Sequence, residues 1–390
     1  SVKEVLDEYG DIVALGTVAD VMKIIGENRI IVSEGLKNIK NTKNIGLKTL
    51  IEATGLSNKR INTDSISFAL APRITAAGRM GCANKAAELF ITDDEEEAKE
   101  LAQFLCDQNK QRQLTENRIL VEVEERLKTE FCPDKDKIIV MCGENWPSGI
   151  IGIVASRIVD KFSVPVLLVA MEGDTGRGSG RSVKGFNLYN ALEKHAHLLE
   201  KYGGHELAVG FTVDRNNFDE FKMKLNEYAS SEMQKVDGTH CMKIDCEGKA
   251  EYLTIGEVEK LSVLEPFGMG NPAPVFCMRD VKIKQITPIG HDRHLSITVE
   301  KDGYTFSAFA MGTNLARCPV YEEEYADIAF SPEINIYRTI KKVQLLIKDI
   351  KVCKETAHVE REQIEIYNRF KNQMPLSQEE ADGLMPTRQE

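Results

Sequence analysis

Apolar and polar positions divide the chain into four textures. Near the start, Asp11-Ile12-Val13-Ala14-Leu15-Gly16 is a near-continuous apolar run of the kind found in a fully buried strand. Thr17-Val18-Ala19-Asp20 follows it, so Asp20 is expected at a strand's C-terminal end, facing a crevice. Helical patterns then continue to about residue 90. From Asp93 to Lys128 there is neither glycine nor proline, and the segment opens with Asp93-Asp94-Glu95-Glu96-Glu97, as a helix N-terminus favours. Ala98, Leu101, Leu105, Ile119, Val123 and Leu127 carry the apolar spacing of one long helix with a polar middle. Such a helix commonly bridges domains.

Between Lys137 and about Met233 the pattern alternates. Strands are predicted over 138–142, 164–170 and 208–213, and helices over 150–162, 186–202 and 218–232. That alternation predicts an α/β domain. After Gly238, short β-rich runs (275–278, 281–286, 294–299, 304–310, 328–330 and 343–350) are separated by proline and glycine turns, which suggests a small closed barrel. Glu355 to Glu390 is charged and weakly helical with no evident core. The expected class is therefore a multi-domain α/β protein.

Bulk properties change this picture little. At 390 residues, two or three domains can each bury a core. No apolar run approaches the ~20 residues that span a bilayer, and Ser1-Val2-Lys3-Glu4 carries no secretory pattern, so no membrane association and a cytoplasmic location are expected. The nine cysteines are scattered, odd in number and form no CxxC pair, which excludes a zinc ribbon and predicts reduced, mostly buried thiols. A net charge of −11 argues mildly against nucleic-acid binding. An acidic chain can still carry a basic groove, because binding depends on local fields.

Five segments could carry chemistry. Asp20 suits a hard divalent cation or, preferably on its own, a helix cap or ion pair; no Asp-x-Asp accompanies it, and the seven histidines include no adjacent pair. Ala71-Pro72-Arg73-Ile74-Thr75-Ala76-Ala77-Gly78-Arg79-Met80-Gly81 sets two arginines among small residues, fit for phosphate contact or for a tight helix–loop junction. Gly176-Arg177-Gly178-Ser179-Gly180-Arg181-Ser182 can form an anion-binding concavity of backbone N–H groups and guanidinium forks, although a surface hairpin would use the same glycines. In Gly203-Gly204-His205-Glu206-Leu207-Ala208-Val209-Gly210-Phe211, the paired glycines are expected to end a helix and turn His205 into a cleft. The segment from Asn145 to Arg157 opens a helix and holds the only tryptophan, Trp146, a base-stacking platform or, preferably, a core wedge. Neither a P-loop nor a strand-linked GxGxxG is present.

Together these segments resemble the bacterial RecJ exonucleases of the DHH phosphoesterase superfamily, in the expected order over roughly residues 5–352. VALGTVADV resembles the motif that supplies an aspartate metal ligand, here Asp20. APRITAAGRMG resembles the motif whose arginines engage the DNA backbone, here Arg73 and Arg79. GSGRS resembles an element of the DHHA1 domain that places contacts on Ser179, Arg181 and Ser182. GGHELAVGF is similar to that domain's glycine-glycine-histidine signature, implying Gly203, Gly204 and His205 near the scissile phosphate. LEPFGMGNPAPVF resembles the start of the family's OB-fold.

The resemblance implies the C-terminal part of a DHH domain (1–92), a long connecting helix (93–132), a DHHA1 domain (133–236), an OB-fold (237–353) and a polar helical tail (354–390). It further implies 5′-to-3′ hydrolysis of single-stranded DNA to mononucleotides in repair and recombination, with two Mn²⁺ or Mg²⁺ ions, and a helicase and a single-strand-binding protein as partners. Asp20, Arg79 and His205 would be catalytic, and Arg73, Ser179, Arg181 and Ser182 would grip the strand. On the OB-fold, candidates are Lys284, Arg293, His294, Phe309, Tyr337, Arg338, Lys341 and Lys342. Two features depart from the pattern. The motifs that supply most metal ligands are absent, so the chain alone is expected to be inactive, and Pro147 stands where relatives often have histidine. The alternatives are a phosphoesterase for short oligonucleotides or cyclic dinucleotides, and a non-catalytic single-strand-binding relative.

Overall fold

The computed structural model describes residues 2–133, 135–233, 242–337 and 340–353. The polar tail, His240, Cys241, Arg338 and the side chain of Tyr337 lie outside the described residues. The chain divides into two compact units, residues 1–240 and 241–390. Among the described residues no helix is long and apolar enough to cross a membrane.

The first unit begins all-helical, with α1 (Val2–Ala19), α2 (Gly26–Asn38), α3 (Ile45–Ala53), a short α4 (Thr63–Ser65) leading through a π turn into α5 (Ala71–Arg79), and α6 (Ala83–Ile91). The strand expected at Asp11–Gly16 is a correction: these residues lie inside α1. A short apolar run cannot by itself separate a buried strand from a helix. Here burial follows helical spacing, with Ala14, Leu15 and Val18 buried while Val13 is exposed. Gly35 lets α2 cross α1 closely, since a Cβ there would lie 2.2 Å from the Gly10 carbonyl oxygen and 2.5 Å from Ala14.

The long helix is α7 (Glu95–Glu130), started by Asp94, whose carboxylate accepts from the Glu96 and Glu97 N–H groups. Its first third packs Ala98, Leu101, Ala102 and Leu105 into the helical core. Its last third packs Ile119, Val123 and Leu127 into another core, against the sheet that follows. Most of its polar middle is exposed, but Asn109 (4% exposed) and Glu116 (2%) are buried, a polar stripe where one core gives way to the next.

That sheet contains β1 (Ile139–Glu144), β2 (Val166–Glu172), β3 (Thr175–Arg181), β4 (Leu199–His205) and β5 (Ala208–Asp214) in the order β1-β2-β3-β5-β4. Only β1 and β2 run parallel. Helices α8 (Ser148–Phe162) and α7 cover one face, and α9 (Leu188–Lys194) and α10 (Phe218–Glu232) the other. A single helix expected over 186–202 is instead α9, a 3₁₀ turn and β4. Leu199 to His205 pair with β5 around a two-residue turn, and that cross-strand ladder overrides local helical preference. Gly203 and Gly204 therefore lie within a strand rather than ending a helix. Trp146 is 4% exposed and donates from Nε1 to Glu122, the core role expected of it.

The second unit holds β6 (Cys246–Glu247), α11 (Ile255–Lys260), β7 (Phe276–Ile289), β8 (His294–Lys301), β9 (Tyr304–Met311), β10 (Tyr325–Tyr337) and β11 (Ile340–Val352). The barrel closes because β10 pairs with both β11 and β7. Two short runs merge into β7, a continuous strand that bends at Asp280, where φ is 49°. Of the described cysteines, Cys132 and Cys246 are exposed and the other six half-buried, which corrects the expectation of mostly buried thiols. Cys82, Cys142 and Cys318 pack against the margins of three cores rather than inside them, and Cys353 lies beside Asp327 and Asp280.

Candidate nucleic-acid interface

Strand β3 has two unlike faces because successive side chains alternate. Gly176, Gly178 and Gly180 face the core beneath α9 and α10. A Cβ on Gly178 would lie 2.1 Å from the Phe211 ring, and one on Gly180 would lie 2.7 Å from Val209. These glycines therefore admit large apolar neighbours. They do not shape an anion-binding concavity, because β3 is an inner strand paired with β2 and β5. That reading of the glycine run is corrected.

Arg177, Ser179 and Arg181 face the other way, toward α8. A Cβ on Gly152 would lie 2.8 Å from Ser179 Oγ and 3.0 Å from Arg181 Nη2, so α8 touches both side chains through its glycine. Arg181 donates to Ser179 Oγ (3.2 Å) and to the Gly180 carbonyl (2.8 Å). Arg79, the last residue of α5, reaches the same turn of α8. Its Nη1 donates to the Gly149 carbonyl at 3.1 Å, and its own carbonyl oxygen fills the space beside Gly149. Burial, and then the nearby Arg79 charge, lower the Arg181 pKa from its ordinary value.

Register carries this face outward. Ser179 pairs with Gly210 and Gly210 with Gly203; Arg181 pairs with Ala208 and Ala208 with His205. Partners in an antiparallel ladder share a face, so the exposed His205 stands in the same cross-strand row as Arg181. Nothing lies within 4 Å of a Cβ built on Gly203, and only the Gly178 carbonyl oxygen, at 3.9 Å, approaches one on Gly210. Beyond α8 the sheet is thus a bare glycine platform, edged by Arg181, Ser179 and His205, onto which a flat or phosphate-bearing group can settle.

Other candidates lie apart from this platform. Ser182 donates from Oγ to the Phe186 carbonyl, on the opposite side from Arg181. Gly204 faces away from Gly203 and holds a φ of 136° against the close Ala208 carbonyl. Arg73 is half-buried, donates to the Ala69 carbonyl at 2.5 Å and leaves its Nε without a partner. Six residues along a helix set Arg73 about 120° round α5 from Arg79. Asp20 is exposed in the turn after α1, not at a buried strand edge. Among the described residues, Asp280, Asp327 and Cys353 are the one cluster of three possible metal ligands, and Asp20 has no such company. A single exposed carboxylate does not fit a two-ion centre.

A buried network supports the interface and was not anticipated. Glu116 receives Arg112 from its own helix (2.7 Å) and Arg157 from α8 (2.8 Å), while Arg112 also donates to Asn109. Burial lowers the Arg112 pKa; Glu116 opposes this, and Arg79 and Arg157 add to it. The signal was present as Asn109, Arg112 and Glu116 at spacings of three and four along a helix.

On the barrel, the His294 and Phe309 rings come together with centroids 5.6 Å apart. Arg293 donates to the Gly290 carbonyl. The proposed lysines are less free: Lys341 pairs with Glu259 at 2.6 Å, and Lys284 lies 3.8 Å from Glu300 and 3.9 Å from Glu323. Lys342 and Tyr337 lie on β11 and β10.

Comparison with known proteins adds three findings. Residues 135–231 match the DHHA1 domain and residues 244–349 the RecJ OB domain. The single-stranded-DNA-specific exonuclease RecJ of Bacillus subtilis is 30% identical over 352 residues, 90% of this chain and 44% of the relative; that of Thermus thermophilus is 34% identical over 329 residues, 84% and 45%. The chain thus spans about half the length of these relatives. Crystal structures of Thermus thermophilus RecJ with Mg²⁺ and with Mn²⁺ each superpose with a TM-score of 0.76 at 31% identity, covering 88% of this chain and 52% and 50% of theirs.

Proposed function

Since the chain is RecJ-like along about nine-tenths of its length, with a DHHA1 domain followed by a RecJ OB domain, we propose that it grips single-stranded DNA for a 5′-to-3′ exonuclease. The enzyme would release mononucleotides in the cytoplasm during repair and recombination, beside a helicase and a single-strand-binding protein. The observation that carries this reading is the convergence of Arg79, Ser179 and Arg181 on one turn of α8, beside the bare Gly210–Gly203 platform.

A terminal phosphate would take charge-assisted bonds from Arg181 and Arg79 and one from the Ser179 hydroxyl. Burial lowers the Arg181 pKa from its ordinary value, and the same burial strengthens the pull of its guanidinium on an anion. His205, across the platform, stands where it can donate to the same phosphate or to a leaving oxygen. The His294–Phe309 pair offers a surface on which bases further along the strand can stack. Mg²⁺ or Mn²⁺, bound in the solved relatives, would supply water activation. Asp20, exposed and without neighbouring ligands among the described residues, does not by itself make such a centre, so the chain alone is proposed to bind rather than to cut.

The test is fluorescence anisotropy of a 5′-phosphorylated single-stranded oligonucleotide titrated with the chain at several salt concentrations, alongside digestion with Mn²⁺. Arg79→Ala and Arg181→Ala are each expected to weaken binding and to flatten the log–log salt slope by about 0.7. Lys341→Ala, already paired, is expected to change it little. Unaltered binding in both arginine variants would sink the assignment of this face. Digestion by the unmodified chain would overturn the proposal that it only grips.

A further inference from the structure

The sheet of the first unit ends on one side at β1, which pairs only with β2. In a parallel pair, alternate residues of a strand bond to the same neighbour. The Ile139 N–H donates to the Pro165 carbonyl, so Ile139 and Met141 bond toward β2. Val140 and Cys142 therefore turn their N–H and C=O groups to the free edge. Of these, the Cys142 carbonyl is met by Arg126 Nη1 at 2.6 Å. Val140 is 3% exposed, and its N–H and carbonyl, turned away from β2, meet no further strand of the sheet. A buried backbone pair on an open edge asks what satisfies it.

The edge is also shaped. Ile139 and Met141 pack with Leu127 of α7 on one face of the sheet, while Ile138 and Val140 pack with Phe221 and Leu225 of α10 on the other. Both helices flank the edge, leaving a slot of about 500 Å³ lined by Leu127 and Phe131 on one side and by Met223 and Asn226 on the other. One end is fastened, where Asn226 accepts from the Lys137 N–H and donates to Asp136. Met223 is 52% exposed, a large apolar side chain with no cover. The slot's charged lining is Glu130, Asp136, Asp219 and Glu227 against Lys222. Arg126 and Lys224 partly balance Glu130 and Glu227, which leaves an acidic excess.

We propose that this slot is a β-augmentation site, which takes an extended peptide segment of a partner protein as a further strand beside β1. The Val140 N–H and carbonyl would make the two anchoring bonds. Alternate apolar side chains of the peptide would pack on Leu127 and Phe131 to one side and on Met223 to the other, and the lysines or arginines between them would meet the acidic rim. This lies outside the phosphate-gripping face and does not depend on it.

The test uses the whole chain and a fluorescein-labelled octapeptide of alternating lysine and valine. Anisotropy is expected to saturate in the micromolar range, and deuterium exchange at the Val140 amide to slow about tenfold at saturation. A glutamate–valine twin is expected to bind at least about tenfold more weakly. Of two twins N-methylated at odd or at even residues, one is expected to lose about tenfold, because the methyl removes the strand's bonding edge. Met223→Lys, at an exposed position that leaves folding intact, is expected to weaken binding similarly. Absence of saturable binding, an unchanged Val140 exchange rate on binding, or equal affinity for both N-methylated twins would each overturn the proposal.

Discussion

Two glycines on one sheet provide a direct test of its unlike faces. In Gly178→Ala the new methyl would lie 2.1 Å from the Phe211 ring. Phe211 is 5% exposed, and its centroid lies 5.3 Å from that of Phe221, so the ring has nowhere to swing. Overpacking of this kind costs about 1–3 kcal/mol, against a gain of ~0.5–1 kcal/mol from replacing glycine in a strand. The expected net loss is roughly 1–2 kcal/mol, a fall in Tm of about 2–8 °C for a unit of this size. In Gly203→Ala the methyl would meet nothing within 4 Å. It should leave the Tm unchanged or raise it by roughly 1–4 °C, while standing on the platform proposed for the strand and weakening oligonucleotide binding. Trp146, the only tryptophan, is buried in this unit, so a fluorescence-monitored melt reads its unfolding specifically. A comparable drop in Tm for both variants would refute the reasoning, since it would mean that the Gly203 face is packed.

Three further outcomes follow from the same structure. Glu116→Ala removes the anion shared by Arg112 and Arg157 and strands a largely buried guanidinium, at a cost of about 3 kcal/mol read from the urea midpoint; Glu116→Gln, which keeps an acceptor, is expected to cost less. Asp94→Ala removes the N-cap of α7 and is expected to cost about 1 kcal/mol in the same experiment. Burial, reinforced by hydrogen bonds to Asp327 and Asp280, pushes the Cys353 thiol up to about 11. A pKa raised on folding favours the native state below the thiol's ordinary value and loses that contribution as pH rises through the folded value. The barrel's urea midpoint should therefore decline between about pH 9 and 11, and Cys353→Ser should remove that part of the decline.

Much of the architecture was legible because it rests on long, uniform signals. Thirty-six helical residues without glycine or proline, and six β-rich runs between turn residues, leave little room for another reading. The errors lie where a local pattern was short or tertiary pairing outweighed it. Ile12 to Leu15 is apolar enough for either a strand or a helix, and only its packing across Gly10 and Gly35 decides. Leu198 to Tyr202 has helical composition, yet the ladder to β5 claims most of it. At the site, Arg79, Ser179 and Arg181 were visible as residue types, but the turn of α8 on which they converge was not. That convergence depends on α8 presenting Gly149 and Gly152 to α5 and β3, a relation between segments some seventy residues apart. Arg73 and Ser182 show the converse, since a motif places residues nearby in sequence without aiming them at one point.

The acidic charge of the chain also finds a local resolution. On the barrel, Lys282, Lys284 and Lys341 lie beside Glu323, Glu300 and Glu259, so the surface cations there largely spend their charge on neighbouring carboxylates. Around α8 the balance differs. Arg112 feels the charges of Arg79 and Arg157, Arg181 feels that of Arg79, and Glu116 is the carboxylate that directly holds two of these arginines. That glutamate is buried on α7, where it holds Arg112 and Arg157. A net charge of −11 then works in favour of selectivity. On the proposed function, it would repel a polyanion from acidic surface and leave the α8 face as the place where a phosphate gains more from fixed guanidiniums than it loses to the field of the chain.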